Sequence, residues 1–205
     1  MLMPSRSAND ARRHTRGLGT RAVRVLHIAP ERALARALGL ANNPHIDYVT
    51  GDFFVTPSAT ATGWVEHKID LQSIPFPDNH FDVAIVLHVL EHVPNATLAI
   101  AELHRTLRPG GVGIIAVPDA RRHASTIEGS FAMPPSERLR LFGQEDHVRR
   151  FGRDFTARLA APGFHPVEPT AIASDVPSVR ALSSGSPFWC ASLACTTAVR
   201  SWLSS

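Results

Sequence analysis

Short apolar runs alternate with amphipathic stretches along this chain, and the alternation predicts its elements in order. Ala22–Ile28 (AVRVLHI) is a β-branched run that reads as a first strand. Pro30 then opens an Ala/Leu-rich helix expected over 31–40, because proline's missing N–H has no partner in a first helical turn anyway. Gly39 and the Asn42-Asn43-Pro44 cluster stop that helix. His45–Thr50 is a second strand ending at Gly51-Asp52, and Val65–Ile69 is a third, with Asp70 leading into the proline-rich turn IPFPDNHFD. Val83–Leu87 is wholly apolar, as a strand buried on both faces requires. A helix over 95–107 places Ile100, Leu103 and Leu107 on one stripe, with Glu102 and Arg105 facing outward. Pro109-Gly110-Gly111 ends it and turns into a fifth strand, Val112–Val117, so that Phe81 to Pro118 forms one βαβ unit.

Beyond Asp119 the pattern loosens. Residues 119–150 are polar and proline-bearing with no clear period, and a loop-rich insertion of that length suggests a lid or substrate-selecting segment. Phe151–Ala161 is helical again and Gly163 caps it. Phe164–Val167 and Phe188–Leu193 then read as two late strands, which a hairpin would join into a mixed sheet. The expected fold is α/β: a doubly wound, mostly parallel seven-stranded sheet with helices on both faces. The expected organisation is a disordered basic arm over 1–20, one domain over 21–193 and a tail over 194–205.

Composition changes this picture little. A hydrophobic fraction of 44% supports a real core, and no apolar stretch is long enough to span a bilayer. With no secretory pattern at the start, the expected compartment is the cytoplasm. The formal charge of +3 is too small to imply a polyanion partner, and neither nucleic acid nor a membrane is expected as one. The positive residues are nearly all arginine, Lys68 being the one lysine, and Arg6, Arg12, Arg13, Arg16 and Arg21 precede the first strand. Cys190 and Cys195 read as packing residues. Eleven histidines raise the question of metal, but without HExxH or a clustered His/Cys spacing no metal site is expected.

Ligands of open α/β sheets bind beyond the carboxyl ends of the strands. That rule picks out His27–Glu31, Asp52, Asp70, His88–His92 and Pro118-Asp119. A carboxylate after the second strand can accept both hydroxyls of a ribose, and one after the third can accept from an adenine amino group. Both positions hold an acid, although each could also be a simple strand-terminating cap.

Taken in order, YVTGDFF, IDLQSIPFPDNHFDVAIVLHVLEHV and ELHRTLRPGG resemble the motifs of class I S-adenosylmethionine-dependent methyltransferases of the type 11-like group, over roughly residues 22 to 193. LHIAPE and ERLRLFGQEDHVRRFGRDFTARLAAPGF resemble a subgroup that carries LHxAPE in place of the glycine-rich first loop. The resemblance implies S-adenosyl-L-methionine as cofactor and a small-molecule or sugar-like acceptor methylated at oxygen. It implies that His27, Ala29, Pro30 and Glu31 line the methionine side of the cofactor, and that Asp52 holds the ribose. Asp70 and Leu71 would then sit by the adenine, with His88 bordering the methyl-transfer site. A general base helps an oxygen nucleophile, and His88, His92, His123 and His147 are the candidates. His147 comes first, as base or substrate ligand or else as a residue whose hydrogen bond orders the lid, with Asp146 beside it as a substrate-binding candidate. Arg149 would hold an anionic substrate group, or else be a solvated surface arginine. The competing reading is a non-catalytic methyltransferase-like binding or scaffold domain, motivated by the glycine-free loop. A nicotinamide-dependent oxidoreductase is disfavoured because nothing like GxGxxG follows the first strand. A second copy of the chain is a partner that could complete the substrate face.

Overall fold

The computed structural model describes residues 21–58, 62–118, 122–167 and 188–192. Five strands run parallel: β1 (Val23–Ile28), β2 (Ile46–Asp52), β3 (His67–Lys68), β4 (Phe81–Leu87) and β5 (Leu107–Ala116). Helix α1 (Arg32–Ala37) and a 3-10 turn (Leu40–Asn42) connect β1 to β2, and α2 (Ala96–Thr106) connects β4 to β5. Two further strand pairs follow: β6 (Ile127–Glu128) with β7 (Arg149–Arg150), and β8 (His165–Val167) with β9 (Phe188–Ser192). Helix α3 (Pro135–Phe142) lies between β6 and β7, and α4 (Phe155–Ala160) precedes β8. The main sheet has the order β3-β2-β1-β4-β5-β9-β8, with β9 antiparallel to both neighbours. The expected doubly wound, mostly parallel α/β fold is what the chain adopts.

Strand alternation divides the core in two. Leu26 of β1, Ala84 and Val86 of β4, and Ile115 of β5 face one side, where they pack with Ala99, Ile100 and Leu103 of α2 and with Phe151, Phe155 and Phe164. Val25, Val83, Ile85, Leu87 and Ala116 face the other side, against Leu34 and Ala35 of α1 and Leu40. Because β4 is buried on both faces, all seven of its side chains are enclosed. Asp82 is tolerated there because its carboxylate accepts two bonds from Arg21 and one from the Arg24 N–H, and it also pairs with Arg108. Arg21 is therefore a fastened residue, whereas the other arginines of the expected arm lie outside the described residues, as do Asp119 and Cys195.

Three differences from the expected elements have local causes. The Pro109-Gly110-Gly111 segment lies inside β5, as a bulge. Leu107 pairs with Phe81 and the ladder resumes at Val83–Val112. A side chain at Gly111 would sit 2.9 Å from the Arg108 carbonyl oxygen, so the bulge needs that glycine. Glu102 and Arg105 do not simply face water: Glu102 accepts the Ile74 N–H, while Arg105 donates to Glu102, Asp78 and the carbonyls of Ile74 and Phe76. They fasten the proline-rich turn to α2. The segment read as patternless contains β6, α3 and β7, with α3 closed by Gly143 at φ 90°. Its order comes from Arg138, which donates to the carbonyls of Phe131, Met133 and Glu145, a signal that side-chain periodicity does not carry.

Candidate functional site

The register of the sheet brings three loops to one end. Ile28 lies opposite Gly51 and Val86, so the loop after β1, the Asp52 end of β2 and the His88 loop after β4 emerge side by side. Asp52 pairs with Lys68, two residues before Asp70. The positions after β1, β2, β3 and β4 thus lie on neighbouring strands.

In the first loop the chain does without glycine by placing Ala29 at φ 48°, in the left-handed region. The Ala29 N–H donates to the Gly51 carbonyl at 2.8 Å, which extends the ladder one residue past the strand. Gly51 itself has no alternative, since a Cβ there would lie 2.3 Å from the Cδ1 of buried Ile69. His27 is fully buried at the end of β1, with Nδ1 2.8 Å from the Tyr48 hydroxyl and Nε2 3.0 Å from Glu31. Glu31 only accepts, so the Nε2–H of His27 donates to it while Nδ1 meets the Tyr48 hydroxyl. Burial, followed by the charges of Glu31 and Glu66, pushes the Tyr48 pKa up, which keeps that hydroxyl a donor. Pro30 turns its carbonyl to the Trp64 indole N–H at 3.1 Å. Tyr48 and Trp64 were not among the residues singled out by sequence, because each acts as a brace behind a residue that was.

Asp52 and Asp70 both cap their own turns, and neither is consumed by doing so. Asp52 Oδ1 accepts the Phe54 N–H at 3.0 Å, and Asp70 Oδ1 accepts the Gln72 N–H at 2.8 Å and its side-chain amide at 3.1 Å. A carboxylate has about four acceptor positions, so capping and ligand binding are compatible. Leu71 is buried, which leaves its backbone as the part that could meet a ligand.

His88 stands at the mouth of the β4 loop at φ 54°, its N–H donating to the Ala116 carbonyl. Its side chain is 42% exposed, and Nδ1 lies 3.6 Å from Oε1 of Glu91. That pairing raises the His88 pKa above its ordinary value, against the opposing effect of partial burial. Glu91 is buried, and neither carboxylate oxygen has a hydrogen-bond donor.

The residues expected in a lid are placed differently from one another. His147 is buried, its Nδ1 3.3 Å from the Phe142 carbonyl and its ring edge-on to His92 at 4.6 Å. Asp146 is exposed and sits 3.4 Å from His92 Nδ1. Arg149 is neither a solvated arginine nor turned outward. It is 2% exposed and donates to the carbonyls of Leu90, Val93 and Pro94 and to Glu128. Its guanidinium is occupied with fastening the 122–150 segment to the β4 loop. His123 contributes its carbonyl to Arg153.

The family described as "Methyltransferase domain" matches residues 13–115, half of the 205-residue chain. The chain belongs to that family. Among the curated methyltransferases it is similar to the ubiquinone/menaquinone biosynthesis C-methyltransferase UbiE of Shewanella pealeana, with 48% identity over 44 residues, 22% of this chain and 18% of that protein. It is 33% identical over 87 residues to the 2-phytyl-1,4-naphtoquinone methyltransferase of Nostoc punctiforme, covering 40% of this chain and 37% of that one. The match therefore spans well under half of each relative's length. In fold, the methyltransferase domain is similar to the Burkholderia thailandensis 1,6-didemethyltoxoflavin-N1-methyltransferase, solved with bound 1,6-didemethyltoxoflavin and S-adenosylhomocysteine, at a TM-score of 0.52 and 19% identity, covering 83% of this chain and 70% of that one. Among the described residues, no helix of the methyltransferase domain is long and apolar enough to cross a membrane.

Proposed function

We propose that this methyltransferase transfers a methyl group to a small-molecule acceptor whose nucleophile is made by loss of a proton. The cofactor is S-adenosylmethionine, which when bound supplies a sulfonium methyl for in-line displacement. The observation that carries the reading is the row of carboxylates Glu31, Asp52 and Asp70 beyond the same ends of β1, β2 and β3. Glu31, held by His27, suits the ammonium of the methionine tail. Asp52 suits the ribose diol and Asp70 the adenine amino group. Ala29 in a left-handed conformation gives the loop the backbone path that glycine would otherwise provide.

At the acceptor side His88 is the accessible base, and Glu91 stabilises the imidazolium that forms when it takes a proton. His147 is enclosed, with Nδ1 toward the Phe142 carbonyl, and is not the accessible base. The resemblance implied oxygen as the acceptor atom, and the UbiE relative is named a C-methyltransferase. A phenol- or enol-like acceptor accommodates both, since its anion carries charge on oxygen and on the adjacent carbon.

Calorimetry of the full chain with S-adenosylhomocysteine tests the reading. Saturable binding is expected, weakened at least about tenfold, or 1.4 kcal/mol, by Asp52→Ala. No binding at millimolar ligand would overturn it.

A further inference from the structure

Beside His88 lies a cluster that cofactor binding does not use and of which the base at the acceptor side uses only Glu91. Glu91, His92 and His147 each present one donor atom, and the three atoms lie within 4.8 Å of one another. They come from two segments far apart in sequence, the β4 loop and the turn before β7. We propose that these three residues form a binding site for a divalent cation of the zinc type.

Three observations carry the assignment. Glu91 is 1% exposed, yet both its oxygens lack a hydrogen-bond donor, and Nδ1 of His88 stays 3.6 Å from Oε1. Leaving a buried carboxylate in that condition is unfavourable, and a cation is a partner that would satisfy it. The imidazoles, for their part, are already oriented. Nδ1 of His147 faces the Phe142 carbonyl at 3.3 Å, and Nδ1 of His92 faces the Asp146 carbonyl at 3.2 Å with the Asp146 carboxylate at 3.4 Å. A ring that donates its Nδ1–H to a carbonyl presents a lone pair at Nε2, which is the outer-shell arrangement of metal-ligating histidines. Finally, two imidazoles and one carboxylate are the donor set of catalytic zinc sites, which keep a further position open.

The donors need only a small contraction: bonds of about 2.1 Å place tetrahedral ligands roughly 3.4 Å apart. His92, about one-third exposed, provides an entry path, and the bound cation would join the β4 loop to the 122–150 segment. Its remaining position would be filled by water. Sequence spacing hides this site, because only Glu91 and His92 are adjacent in the chain.

The inference does not rest on the methyltransferase reading, since a zinc titration needs neither cofactor nor acceptor. Full-length protein stripped with chelator and titrated with zinc(II) against a chromophoric competitor is expected to take up one equivalent. Cobalt(II) should give the visible bands of a four- or five-coordinate site. His92→Ala, His147→Ala and Glu91→Gln should each weaken zinc binding by at least about 100-fold, whereas His45→Ala, on the exposed turn before β2, should not. Should Glu91→Gln fail to fold, as judged by circular dichroism, His92→Ala on its partly exposed ring decides the question. Zinc uptake that is absent, or unchanged in the His92→Ala/His147→Ala double variant, overturns the assignment.

Discussion

His27 and Glu31 meet across the first loop, with Nε2 of the buried ring 3.0 Å from a Glu31 carboxylate oxygen. Since Tyr48 fixes the other ring nitrogen at 2.8 Å, Glu31 is positioned from inside the core although its own side chain is 44% exposed. Glu31→Gln keeps the contact but removes the charge. The expected outcome is a folded protein whose affinity for S-adenosylhomocysteine falls at least about tenfold, the usual worth of a charge-assisted hydrogen bond. His27→Ala should reproduce the affinity loss and also lower the melting temperature. Calorimetry beside thermal melts separates the two effects, and an unaltered affinity in Glu31→Gln would remove Glu31 from the cofactor site.

Ala29 carries a Cβ in a conformation that costs an L-residue roughly 1–2 kcal/mol. Ala29→Gly relieves that strain while adding unfolded-state freedom of about 0.4–1 kcal/mol, so the net effect should be neutral to slightly stabilising. Ala29→Val is the informative contrast, because a β-branched side chain at positive φ is far less tolerated. It should unfold at lower denaturant and bind cofactor more weakly. Chemical denaturation of the pair tests the argument; equal stability of the glycine and valine variants would sink it.

Arg149→Met should be strongly destabilising, by about 3 kcal/mol or more, because it leaves the buried carbonyls of Leu90, Val93 and Pro94 without their donor. The damage should be concentrated where the clamp acts. Hydrogen exchange ought to accelerate in β6, β7 and the β4 loop before it does in β1 or α1. Uniform acceleration across the sheet would mean that the guanidinium is not holding the segment in place.

Glu102 ties α2 to the turn before β4, and its pairing with Arg105 holds its pKa below the usual carboxylate value, with burial opposing and the Ile74 N–H assisting. A depressed folded-state pKa gives stability that is fully present above the unfolded value, about 4.5, and is lost as pH falls through the folded one. Glu102→Gln should therefore reduce the steepness of acid unfolding below that pH and change little near neutrality beyond the loss of the ion pair itself. Denaturation midpoints measured from pH 3 to 7, roughly spanning both forms, provide the comparison. Parallel curves for the two proteins would contradict it.

Much of the fold was legible because it depends on period and punctuation. The apolar runs of β1, β4 and β5 mark the central strands, and the acids at Asp52 and Asp70 follow strand ends, as expected. What escaped was everything settled by long side chains reaching backbone carbonyls. Arg138 and Arg149 order a segment that has no hydrophobic period, and an arginine that will be buried looks in sequence like one that will not. The bulge at Gly110-Gly111 was hidden for a related reason: Pro-Gly-Gly reads as a stop, yet here it shifts register within one strand. Glu91 escaped because carboxylates are ordinarily solvated, whereas here the side chain is buried and the Val148 N–H donates to the Glu91 backbone carbonyl.

The placement of β9 bears on how the chain is made. Val112–Ala116 hydrogen-bonds on one side to β4 and on the other to Phe188–Ser192. Until those late residues have left the ribosome, the apolar β5 has an open edge, the kind of surface that recruits other strands. Synthesis thus includes an interval in which most of the molecule can fold while one flank stays adhesive. A nascent chain stalled before residue 188 should bind holdase chaperones, and release of Phe188–Ser192 should free it.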